Sequence, residues 1–136
     1  LRNFVLFSRA KKSVYEDFCG YRYFQRPGSM SKDSAKMEKT FRHIAKARKL
    51  IVDNCSEEAY PYAMRLWLST YVNEINQNHT NKDLKIQSIC QECRDVLKKH
   101  KKSLHYLIRS QQIAANLILY APWLHRFAYK IYDSRR

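Results

Sequence analysis

Glycine and proline are nearly missing from this sequence, at two and three residues among 136. Turn-dense β-architectures and glycine-rich phosphate loops need positive φ at several positions, and two glycines cannot supply them. Long helices with short connections are what such a chain favours. Long apolar runs are missing too. The longest, from Ile113 to Leu124, is interrupted by Asn116 and Pro122. It falls short of the roughly 20 residues that a bilayer-spanning helix needs. The four cysteines (Cys19, Cys55, Cys90 and Cys93) follow no disulfide-framework spacing, so a reducing cytoplasm is the expected compartment. Leu1–Ala10 carries Arg2 and Arg9 and no small-residue cleavage site, so no signal peptide is expected there. Acidic residues are scarce, 12 against 26 Lys and Arg.

What is present is cationic and aromatic. The net charge of +14 divides into +8 over residues 1–54, −2 over 55–93 and +8 over 94–136. Two basic ends flanking a near-neutral middle attract anionic membranes, nucleic acid or phosphorylated ligands, and charge alone does not choose among them. Ten Tyr, six Phe and two Trp supply core or interface material.

Leu1, Phe4, Val5 and Phe7 read as the last turns of a helix stopping near Lys12. Ser13–Gln25 is suited to a strand through Val14, Tyr21 and Tyr23, and Arg26-Pro27-Gly28-Ser29 is a loop. After Ser31 the pattern is helical throughout. One helix, capped by Asp33 or Ser34, runs to about Asn54 with Met37, Phe41, Ile44, Ala47 and Ile51 on a face. A second starts at Ser56, with Met64, Trp67, Leu68, Tyr71, Val72 and Ile75 as its stripe, and breaks at Asn78–Asn81. A third covers Asn81–His100, aligning Ile86, Cys90, Cys93, Leu97 and His100. A fourth covers Ser103–Tyr120, and Pro122 opens the last. The expected fold class is mainly α. A helix end and an extended segment make one region, residues 1–32, and a four- to five-helix bundle-like tail the other, 33–136.

Residues Tyr21, Tyr23, Gln25, Arg26, Pro27, Gly28 and Ser29, with the helix before them, resemble the segment closing the catalytic domain of bacterial family 2 glycosyltransferases. The match is specific over residues 1–35; the helical tail and the Ala121–Lys130 ending are compatible with it. The resemblance implies a loop bordering a nucleotide-sugar site, with Gln25, Arg26, Gly28 and Ser29 facing the donor. A guanidinium can clamp a diphosphate bidentately, and Gly28 lets backbone N–H groups approach. Phe24 stands where the family often has Arg, which moves the phosphate role to Arg26.

The family's metal-holding Asp-x-Asp is absent, and Glu16-Asp17 falls after the helix that would carry the catalytic base. The chain is therefore expected to lack catalytic residues and a cofactor of its own, with Mg or Mn belonging to an intact parent. The expected partners are the rest of that transferase and its nucleotide-sugar donor, with an anionic membrane surface or a second copy as further candidates. The expected location is cytoplasmic, peripheral on the inner membrane.

Several features carry two readings. Lys39, Arg42, Lys46 and Lys49 form a solvated face or a contact for anionic lipid. Tyr120, Trp123, Arg126, Phe127 and Lys130 fit an interfacial helix, with a core helix or dimer interface as the other reading. Cys90-x-x-Cys93 with His100 and His105 has zinc-like chemistry, but the interval is too short for a finger and core packing is favoured. The lone His43, His79 and His125 have no partner that the sequence identifies, and Asn78-His79-Thr80 is a formal glycosylation sequon. A nucleic-acid-binding module is an alternative by charge, though no recognition signature supports it. A self-associating structural domain is the other.

Overall fold

A computed structural model describes residues 34–133 of the chain, with side chains from Glu38 to Ile131. The helix expected before Lys12, the strand around Tyr21 and the Arg26–Ser29 loop lie outside the described residues, as does the side chain of Met37. Within them the chain is mainly α. Helices α1 (Ser34–Asn54), α2 (Tyr60–Gln77) and α3 (Leu84–Lys99) are followed by a 3₁₀ helix (Lys101–Tyr106), then α4 (Arg109–Tyr120) and α5 (Pro122–Asp133).

The most apolar face belongs to α2, which takes the centre. It packs against α1, α3, the 3₁₀ helix and α4, while α5 packs on α4. Leu68, Val72, Cys93, Leu97, Ala115 and Ile118 are shut off from solvent where α2, α3 and α4 meet. The expected stripe of α2 is buried but for half-buried Tyr71, and that of α3 is buried at Cys90, Cys93 and Leu97, with Ile89 in place of half-buried Ile86 and His100. In α1 the expected Phe41 is buried together with Ala45 and Val52, while Ile44 is exposed. This rotation brings Arg48 to α2, where its Nη1 donates to the Leu66 carbonyl at 2.9 Å and to Thr70 Oγ1 at 2.8 Å. Edge-to-face contacts of Tyr71 with Phe41 at 5.9 Å and Trp67 at 5.5 Å complete the α1–α2 seam.

Three helix starts differ from the sequence expectation, that of α3 lying at Leu84 rather than about Asn81. The second helix begins at Tyr60 rather than Ser56. The Ser56 carbonyl closes a tight turn by accepting from the Ala59 and Tyr60 amides, and Pro61 has no N–H to offer Glu57. The fourth helix does not start at Ser103. Leu107 and Ile108 are extended, separating the 3₁₀ helix from α4. The Gln112 amide holds that break by donating to the carbonyls of His105 at 2.9 Å and Leu107 at 2.6 Å. The start of α3 is conventional: Asp83 caps it, its Oδ1 accepting from the Lys85 amide at 2.8 Å.

Candidate functional site

The last helix is built differently from the others. After Ala121, Pro122 supplies a pre-set φ for its first position, so α5 leaves α4 at a corner. Its 3.6-residue period sends His125 and Tyr129 to one side, where His125 is only 4% exposed. Trp123, Leu124, Phe127 and Ile131 fall on another arc, with Trp123 71% and Phe127 61% exposed. Tyr120, at the end of α4, extends this arc, and the Lys101 ammonium lies 5.0 Å from its ring centroid. Arg126 and Lys130 are exposed along one flank. No described hydrophobic side chain of α5 belongs to the buried core. The five residues expected at an interface are thus together and exposed, while His125 and Tyr129 face inward.

That inward side meets the end of α2. His125 Nε2 donates to Asn76 Oδ1 across 2.8 Å in a buried contact. The Asn76 carbonyl in turn accepts from His79 Nδ1, also at 2.8 Å. The ring of Tyr129 touches both imidazoles, at centroid distances of 4.9 Å to His79 and 5.7 Å to His125. Two histidines that looked isolated in the sequence are therefore joined through one asparagine. Burial pushes the His125 pKa down, and the neighbouring His79, Arg94 and Arg126 push it the same way.

Beside this pair is a cavity of about 270 Å³, lined by Asn81, Gln87, Cys90, Arg94 and Arg126 among others, with both histidines at its edge. Two nitrogens of its lining residues, Arg94 Nε and His79 Nε2, are buried without a hydrogen-bond partner. The Cys90 thiol is pushed up by burial, Arg94 and Arg126 only partly opposing this, so it stays protonated and is no nucleophile. The Glu74 carboxyl, also pushed up by burial, accepts from Asn78 Nδ2 at 2.9 Å. What the cavity offers is cationic and hydrogen-bonding groups for binding.

The remaining expected sites resolve as follows. Gln25, Arg26, Gly28 and Ser29 lie outside the described residues. Cys90 and Cys93 are core residues, and burial raises the Cys93 thiol most. Among the described residues no cluster of three His, Cys, Asp or Glu could hold a metal. The basic stripe of α1 is partly spent within the fold. Arg42 pairs with Glu38 at 3.0 Å and Glu92 at 3.1 Å, and Lys49 pairs with Asp53 and lies 5.4 Å from the Trp67 ring centroid. No described helix is long and apolar enough to cross a membrane. Comparison with protein families, characterised proteins and solved structures finds no match to this chain.

Proposed function

We propose that this chain is the C-terminal helical part of a nucleotide-sugar-dependent glycosyltransferase of bacterial surface polysaccharide synthesis. It has no catalysis of its own, and it holds the parent enzyme to an anionic membrane surface through α5. The transferase half rests on the Tyr21–Ser29 sequence, where Arg26 closes over the donor diphosphate. The membrane half rests on one observation, the exposed Trp123, Leu124, Phe127 and Ile131 arc flanked by Arg126 and Lys130.

Magnitudes rank the two contributions to binding. Fully burying one large apolar side chain is worth about 1.5–3 kcal/mol, and a cation near an anionic surface about 1 kcal/mol. The arc therefore supplies most of the affinity and the charge chooses the lipid. Sedimentation with phosphatidylglycerol vesicles tests this. The chain co-sediments, salt weakens but does not abolish binding, and Trp123 emission shifts to the blue while buried Trp67 contributes little change. Replacing Trp123 and Phe127 by serine removes binding. Vesicle binding unchanged by those substitutions sinks the membrane reading. A concentration-dependent dimer that the same pair abolishes would assign the arc to self-association. Steeply salt-dependent binding to DNA would favour the nucleic-acid module. The transferase half has its own test, since Arg26→Ala in the intact enzyme raises the KM for the sugar nucleotide.

A further inference from the structure

We infer that the cavity between the end of α2, the face of α3 and the start of α5 is a binding site for a phosphoryl oxyanion, with Arg94 and Arg126 as its principal ligands. The inference does not rest on the transferase reading, and it shares Arg126, but not the apolar arc, with the membrane reading.

Three observations carry it. First, Arg94 on α3 and Arg126 on α5 reach the same cavity from separate elements, and no carboxylate is among its lining residues. Second, Arg94 has Nη1 tied to Gln91 Oε1 at 3.2 Å, while its Nε is buried without a partner. A buried N–H of a guanidinium left unpaired is costly, and an oxyanion is the group that satisfies it best. Third, the cavity, at about 270 Å³, has room for a phosphoryl group between the two arginines.

The experiment is calorimetric titration of the full chain with sodium sulfate and with inorganic phosphate, ionic strength being held constant with chloride. The expected result is saturable 1:1 binding, weakened about tenfold by Arg94→Gln or Arg126→Gln and unaffected by the remote Lys39→Gln. The variant at exposed Arg126 keeps the test valid should Arg94→Gln disturb the fold. Vesicles distinguish the source of the phosphoryl group. A lipid headgroup gives stronger binding to phosphatidate than to phosphatidylglycerol vesicles of equal charge, and Arg94→Gln removes the difference. A free anion gives phosphate binding without that preference. Absence of saturable binding by either anion together with no phosphatidate preference overturns the site, as does equal weakening by Lys39→Gln. The Trp123 and Phe127 serine pair leaves sulfate binding intact, so failure of the membrane reading is distinguishable from failure of this one.

Discussion

At the residue scale the consequential group is His125, a nearly solvent-free imidazole whose one hydrogen bond joins α5 to α2. Its pKa is lowered in the fold, first by burial and then by His79, Arg94 and Arg126. The unfolded chain takes up a proton near the ordinary value of about 6.5, and the folded chain resists it to lower pH. Stability is therefore lost as pH falls below about 6.5, until the folded group protonates as well. His100, lowered by burial and by Lys99 and Lys49, adds to the loss. Glu74, raised by burial, acts in the opposite sense: it contributes stability at acid pH that is lost as pH rises above its ordinary 4.5. Thermal melts at pH 7.5 and 5.5 should show the lower Tm at the acid value, and His125→Gln should shrink that difference without removing it. None of this was legible in the sequence. Asn76 and His125 are 49 positions apart, and nothing local distinguishes a histidine facing an asparagine from one facing water. The Cys90–Cys93 spacing, by contrast, was readable as packing, because i and i+3 share a helix face with Leu97.

At the scale of elements, periodicity gave most of what the structure contains. The stripes of α2 and α3 are dense enough in large apolar residues that only one rotation buries them. For α1 the pattern admitted two neighbouring rotations, and the Arg48 contacts with Leu66 and Thr70 accompany the one found. The break at Leu107–Ile108 has no glycine or proline to announce it, and its cap comes from the side chain of Gln112 within the following helix. Ser56 was read as the start of the second helix, yet the hydrogen bonds at that corner close a turn on its carbonyl. A paired substitution checks this account. Asp83→Ala should cost about 1 kcal/mol through loss of a true cap, while Ser56→Ala should stay within about 0.5 kcal/mol. Urea denaturation of the two variants reads the difference directly.

At the scale of the whole molecule, α2 is the central element and α5 the outlying one. The core joins residues of α1, α2, α3, the 3₁₀ helix and α4, and α5 adds no described hydrophobic side chain to it. Sequence analysis placed an interfacial helix at this end but could not say which of its sides the fold would use, since aromatic residues fit a core equally well. A helix that adds none of its described hydrophobic side chains to the buried core has less to lose by lifting away than α2 has. Opening free energy follows local apolar contact. Native-state hydrogen exchange should accordingly find the amides of α5 opening in a low-energy unit of their own, while those of α2 exchange only through global unfolding. On that expectation α5 can exchange its neighbour while the unit of α1 to α4 stays folded.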